Sequence, residues 1–165
     1  MNVVLIGMPA CGKSAVAKAL GKRLNMRVVD TDGEIRKNHG DITEIFVRLG
    51  EEKFRQIETE TVKAASCLDN VIISTGGGCP VRGENVSLLK RKGKTVYLRA
   101  ALPTLLSRLG DDNSRPLLAG GAEEKLTKLL NERTPVYESA ADFITDTDGL
   151  TVEEICKNIE EWLNL

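Results

Sequence analysis

The octapeptide Gly7-Met8-Pro9-Ala10-Cys11-Gly12-Lys13-Ser14 completes a G-x-x-x-x-G-K-S pattern directly after the apolar run Val3 to Ile6. A buried strand that ends in a glycine-bounded turn and enters a helix aims backbone N–H groups and a helix N-terminus at one point, which suits a polyphosphate. The sequence therefore predicts nucleoside triphosphate binding. Gly7 and Gly12 permit the turn and a close approach of backbone to phosphate. Lys13 supplies charge to the β- and γ-phosphates, and Ser14 is placed to ligate Mg²⁺. The helix that follows has its own warrant, since Val16, Ala17, Leu20 and Leu24 form one apolar stripe while Lys18, Lys22 and Arg23 face away.

Further apolar runs recur at Arg27 to Val29, Val71 to Ser74, Thr95 to Leu98 and Phe143 to Thr145, with helical patterns between most of them. That alternation predicts an α/β chain with a parallel sheet covered by helices. The clearest helix is C-terminal: Thr151 and Glu154 make a capping box, and Val152, Ile155, Ile159, Trp162 and Leu163 form its buried stripe. Trp162 is read as a packing residue. Between Asp32 and Asp69 the sequence is helical, broken by Gly40 and Gly50, and longer than one crossover helix requires. Ile42, Ile45, Phe46 and Leu49 suit a short helix, and Phe54 and Ile57 begin another. This insertion is placed to wall a second pocket beside the phosphate loop.

Charged residues cluster where such a sheet would present its carboxyl edge. A strand continued through Asp30-Thr31-Asp32 would point both carboxylates to one face, giving Asp30 the metal, directly or through water, and Asp32 an acceptor hydroxyl. The alternative is that the pair caps the next helix. After Val71 to Thr75 no metal-binding Asp follows; instead come Gly76, Gly77 and Gly78, which serve either a positive-φ loop or a substrate packed against bare peptide. Arg55 and Glu58, three apart beside Phe54 and Ile57, read as a surface ion pair worth ~0.2–0.5 kcal/mol or as a carboxylate-holding guanidinium with its partner. Arg133 shares a helical face with Leu126, Leu129, Leu130 and Tyr137, so a buried cation there needs an anion, either a protein carboxylate or a bound one. Pro135 is expected to break or kink that helix. A polar, glycine-flanked stretch over residues 110–121 has the composition of a lid, with Arg115 at its centre placed to reach a transferring phosphate.

At 165 residues, with a net charge of −1, the chain fits one domain and lacks the general basic surface that nucleic acid would need. Its four cysteines show no C-x-x-C or Cys/His pairing, which argues against a disulfide framework and a zinc site. His39, the one histidine, sits in a polar turn and is read as surface. The first strand begins at Asn2 or Val3, leaving no room for a signal peptide, and no apolar run is long enough to cross a bilayer. A cytoplasmic, soluble monomer without nucleic-acid or membrane partners is expected.

Taken in order, G-M-P-A-C-G-K-S at 7–14, D-T-D at 30–32, F-R-Q-I-E at 54–58, G-G-G at 76–78, R-P-L-L at 115–118 and E-R-T-P-V-Y at 132–137 resemble the shikimate kinase family over nearly the whole chain. The resemblance implies a three-layer, P-loop nucleoside-monophosphate-kinase-like fold with a five-stranded parallel sheet and a lid. It implies phosphorylation of the shikimate 3-hydroxyl by ATP with Mg²⁺, on the way to aromatic amino acids. It puts Ala10, Cys11, Gly12, Lys13, Ser14, Ala15, Arg108 and Arg115 at ATP, with Arg108 near adenine, and Ser14 and, through water, Asp30 at the metal. Asp32 would meet the ring hydroxyls, Arg55 and Arg133 would clamp the carboxylate, and Gly76, Gly77 and Gly78 would line the acceptor pocket. Lys13, Asp32 and Arg115 carry the transfer itself. Ala15 departs from the threonine common in the family. Rival readings are a gluconate or nucleoside monophosphate kinase of the same fold, a GTPase switch, which lacks an N-K-x-D motif here, and a catalytically silent nucleotide-binding module.

Overall fold

The computed structural model describes residues 1–109 and 121–165. Its scaffold is a five-stranded parallel sheet of order β2-β3-β1-β4-β5. The strands are β1 (Asn2–Ile6), β2 (Arg27–Asp30), β3 (Val71–Ser74), β4 (Gly93–Arg99) and β5 (Phe143–Asp146). Strands covered on both faces read as continuous apolar runs rather than alternating ones, and Val3, Val4, Leu5, Ile72 and Ile73 are all fully buried. At the edge, β2 leaves Arg27 and Val28 exposed.

Helix α1 (Lys13–Leu24) joins β1 to β2, and α2 (Thr31–His39), α3 (Ile42–Leu49) and α4 (Glu51–Ser66) fill the connection to β3. A 3₁₀ turn at Cys79–Val81 and α5 (Gly83–Lys90) lead to β4. Between β4 and β5 come α6 (Leu102–Leu109) and α7 (Ala122–Ala140), and α8 (Val152–Leu163) follows β5. Right-handed crossovers send leftward and rightward connections to opposite faces of a sheet. Thus α1 packs with α8 on one face while α4, α5 and α7 cover the other. Leu5 pairs with Ser74 and Ser74 with Asp30, so β1, β3 and β2 end level with one another and their loops open on one edge.

The insertion resolves into three helices because Gly40 and Gly50, at φ 91° and 83°, take left-handed conformations that end α2 and α3. These helices build a small core of their own from Ile35, Ile45 and Phe54, with Ile42, Phe46 and Ile57 packed against it. Leu49, expected on the apolar stripe, is exposed; it lies in the last turn, one residue before Gly50 redirects the chain.

Of the two readings of Asp30-Thr31-Asp32, the helix cap is the one found: β2 stops at Asp30, α2 starts at Thr31, and Asp32 N donates to Asp30 Oδ1 at 3.1 Å. Of the break or kink expected at Pro135, a break does not occur, since α7 continues as helix to Ala140. The N–H that Pro135 lacks would have bonded to Asn131, and both residues are exposed, so the freed carbonyl meets water. Next to it, Thr134 Oγ1 donates to Leu130 O at 2.6 Å.

In α8 both halves of the capping box form: Glu154 N donates to Thr151 Oγ1 at 3.2 Å and Thr151 N to Glu154 Oε2 at 2.7 Å. Ile155, Ile159 and Leu163 are buried, and Trp162 is half-buried with its ring stacked on Phe143, 4.9 Å between centroids. Among the described residues no helix is long and apolar enough to cross a membrane. Thr151→Ala removes one acceptor from the exposed end of α8 and is expected to cost about 1 kcal/mol of stability, read from urea unfolding; an unchanged midpoint would refute the cap's contribution.

Candidate active site

The loop after β1 is built to hold an anion. Ala10 and Gly12 adopt φ 65° and 98°, and the first intrahelical bond of α1 runs from Val16 N to Gly12 O at 3.0 Å. The N–H groups of Lys13, Ser14 and Ala15 precede that bond and have no acceptor within the helix. No side chain caps this end, so donors and the positive end of the helix dipole face the cleft together. Lys13 Nζ lies over the loop, donating to Gly7 O at 2.8 Å and Met8 O at 2.9 Å. Gly7 is held at φ 151°. A Cβ there would lie 2.7 Å from Leu98 O and 2.8 Å from Cys11 Sγ, so the turn fits only glycine. From α6, Arg108 Nη1 donates to Cys11 O at 2.9 Å and to Thr147 Oγ1 at 3.4 Å, bridging the phosphate loop to the end of β5.

A single cleft of about 710 Å³ joins this loop to the residues expected at the acceptor, with Lys13, Ser14, Asp30, Asp32, Arg55, Arg133 and Gly76 to Gly78 all on its wall. The capping geometry that starts α2 swings Asp32 over the sheet edge. Thr31, fully buried, accepts from Gly76 N at 3.2 Å and ties that helix start to the loop after β3. From α4, Arg55 reaches the cleft while paired with Glu58 at 2.9 Å and lying over the Phe54 ring, 5.2 Å from its centroid. From α7, Arg133 is buried at 7% exposure, and no carboxylate among the described residues pairs with it. One turn on, the Tyr137 hydroxyl donates to Gly77 O at 2.7 Å.

The cleft's charges are unevenly solvated. Asp32 titrates above the ordinary Asp range, first because it is desolvated and second because Asp30 is beside it; Lys13, Arg36 and Arg55 pull the other way. Burial also raises Glu58, whose side chain is only 1% exposed, against the opposing pull of Arg55. Burial pushes the Tyr137 phenol up as well, so it remains a neutral donor to Gly77 O.

Most residues picked out from the sequence meet here: Ala10, Gly12, Lys13, Ser14, Ala15, Asp30, Asp32, Arg55, Gly76, Gly77, Gly78, Arg108 and Arg133 all line the cleft. Cys11 does not. Its buried thiol fills the space under the loop against Gly7, and its carbonyl is taken by Arg108. Arg115 and all but the last residue of the stretch read as a lid, 110–121, lie outside the described residues. The Arg55–Glu58 pair is no surface bridge, since its side chains are 15% and 1% exposed; breaking a buried pair costs about 3–5 kcal/mol, ten times the surface figure. None of Gly76, Gly77 and Gly78 has positive φ, which removes the turn-forming explanation for the triplet. All four cysteines are free and His39 is exposed. Sequence reading passed over two residues: Glu58, treated only as a helix neighbour of Arg55, and Tyr137, treated as packing. The signal for Glu58 was its place between Phe54 and Val62 on a face that had to be buried.

The chain is similar to known proteins over nearly its whole length. Residues 9–164 match the family model for shikimate kinase. Shikimate kinase of Caldicellulosiruptor bescii is 41% identical over 160 residues, covering 96% of this chain and 92% of that one. The Thermodesulfovibrio yellowstonii shikimate kinase is 42% identical with the same coverage. The solved shikimate kinase from Acinetobacter baumannii in complex with shikimate superposes with a TM-score of 0.95 at 31% identity, covering 99% of this chain and 92% of that chain.

Because the folded-state pKa of Asp32 is raised, the fold binds its proton more tightly than the unfolded chain does, and ionising it in place costs stability. That cost is absent below the ordinary Asp range, grows as pH rises, and is complete above the raised value. Asp32→Asn is therefore expected to melt higher than the parent at pH 7 to 8 and alike near pH 3, by calorimetry; a lower melting temperature at neutral pH would contradict the assigned direction.

Proposed function

This chain belongs to the shikimate kinase family, and we propose that its cleft transfers the γ-phosphoryl group of ATP to the 3-hydroxyl of shikimate, giving shikimate 3-phosphate and ADP. The observation that carries the reading is the joining, in one cleft, of a triphosphate cradle to two guanidinium groups and a desolvated aspartate. Arg55 and Arg133 suit a planar carboxylate. That anion would supply the carboxylate that Arg133, buried, lacks among the described residues. Nucleoside monophosphates and gluconate fit less well: the first brings a dianionic phosphate, the second a flexible open chain.

The residues divide the work as follows. Amides of Lys13, Ser14 and Ala15 receive phosphate oxygens, and the Lys13 ammonium leaves its two carbonyls to neutralise charge on the transferring group. Arg108 holds the loop on the nucleotide side. Ala15 offers no hydroxyl to the nucleotide, so its backbone N–H acts alone. Asp32 holds the acceptor hydroxyl and takes its proton as the new P–O bond forms; burial and the neighbouring Asp30 raise its pKa, which makes its carboxylate a better proton acceptor than an ordinary aspartate. Arg115, at the centre of the lid-like stretch, is assigned to the phosphates.

The donor set fits Mg²⁺. Ser14 and Asp30 present hard oxygens on the cleft wall, and Mg²⁺ bound with ATP takes few protein ligands and keeps several waters. One Asp30 oxygen already accepts from Asp32 N, and the other lies 3.8 Å from Arg36, which favours contact with the ion through water. When bound, the metal would supply charge neutralisation to the β- and γ-phosphate oxygens. We place the enzyme in the cytoplasm, a reducing compartment in which its four unpaired cysteines persist as thiols.

Coupled ADP release is expected with shikimate and not with gluconate or nucleoside monophosphates; turnover of another acceptor in place of shikimate would overturn the assignment. Arg133→Ala should raise KM for shikimate at least about 30-fold with KM for ATP nearly unchanged. Asp32→Asn should lower kcat by about 100-fold or more while ATP affinity stays within a factor of about three.

A further inference from the structure

The three consecutive glycines raise a question that backbone conformation leaves open. None has positive φ, and Gly78 sits at φ −84° and ψ −7°, an ordinary helical conformation open to any L-residue. The space around them is another matter. A Cβ on Gly76 would lie 2.7 Å from Asp32 Oδ1, one on Gly77 3.1 Å from Arg133 Nη1 and 3.0 Å from Pro9 Cδ, and one on Gly78 2.5 Å from both terminal nitrogens of Arg55. At 2.5 to 2.7 Å, as at Gly76 and Gly78, a carbon cannot sit without displacing the polar atom; at 3.0 to 3.1 Å, as at Gly77, Pro9 and Arg133 must give by a few tenths of an ångström.

We propose that Gly76, Gly77 and Gly78 are seats for the protein's own side chains, Asp32, Arg133 and Arg55 respectively. The absent Cβ atoms set where the acceptor's hydroxyl and carboxylate are held. The inference rests on the functional reading above and extends it to three positioning residues. Each seat is fixed from a second direction. Thr31 Oγ1 accepts from Gly76 N at 3.2 Å, so the seat of Asp32 is tied to the residue preceding it. Tyr137 donates to Gly77 O at 2.7 Å from the same helix that carries Arg133. Arg55 is held at 2.9 Å by Glu58 and lies against Phe54, so a methyl group on residue 78 pushes it out of register with Glu58. At 76 and 78 the atoms that must yield are the ends of side chains, so the Ala variants fold while losing the placement of one functional group each.

The test is a double-mutant cycle read by calorimetric titration of shikimate. Gly78→Ala is expected to weaken shikimate binding about tenfold or more and leave ATP binding unchanged, whereas in an Arg55→Ala background the same change adds less than about a factor of two. Losses that multiply would mean that the methyl group meets the substrate directly, and a wild-type shikimate Kd for Gly78→Ala would mean that no seat exists; either result overturns the proposal. Gly76→Ala supplies the second arm: kcat falls about 100-fold with KM for shikimate and ATP within about threefold, the split expected of a displaced Asp32, and a uniform loss in both parameters counts against it. If the parent enzyme does not bind shikimate, the functional reading fails by itself. The crystal structure of Gly78→Ala then decides the seat: a displaced Arg55 guanidinium upholds it, and an unmoved one overturns it.

Discussion

Parallel, in-register pairing of β1, β3 and β2 decides where chemistry can occur in this molecule. Leu5, Ser74 and Asp30 stand side by side, so the phosphate loop, the glycine triplet and the start of α2 leave the sheet at one level. The backbone reverses its winding direction between β1 and β3, since one connection runs left to β2 and the other right to β4. A crevice forms at such a reversal because the two flanking loops diverge to opposite faces. Everything assigned to phosphoryl transfer is an elaboration of that crevice.

Within it, charge is placed by burial as much as by sequence. Two carboxylates, Asp32 and Glu58, are desolvated close to two guanidinium groups, yet only the Arg55–Glu58 pair is closed by a hydrogen bond. Glu58 fixes Arg55 and offsets part of its field in the cleft while the guanidinium stays charged. Arg133 has no carboxylate within salt-bridge distance among the described residues; Glu58 acts on it only electrostatically, and the Tyr137 hydroxyl is its hydrogen-bonding neighbour. Tyr137 holds α7 to the glycine loop through a neutral bond that does not compete for an incoming anion.

Much of this was legible from the residues alone. The phosphate loop was readable because glycine spacing and the flanking apolar periods are local properties, and the α8 cap for the same reason. Arg133 was readable because a cation on an apolar helical face conflicts with its surroundings. The strand order was not, since nothing local says which apolar run pairs with which. Asp30 and Asp32 stayed open between an extended segment and a helix cap because propensity does not distinguish a strand's last residue from a cap. The helix's continuation past Pro135 was not readable, because the cost of a missing N–H depends on whether its carbonyl partner is wet, which is a tertiary fact. The side chains packed against the triplet lie about 23 and 44 residues upstream of it and 56 downstream, out of reach of any local motif.

The separate apolar cluster of Ile35, Ile45 and Phe54 has an evolutionary consequence. It gives the acceptor side its own packing, distinct from the layer that supports the sheet. Substitutions there can reshape the wall that meets the small molecule while the nucleotide half keeps its interior intact. Diversification toward new acceptors is thereby decoupled from the risk of losing the scaffold, and one sheet can serve a succession of alcohols.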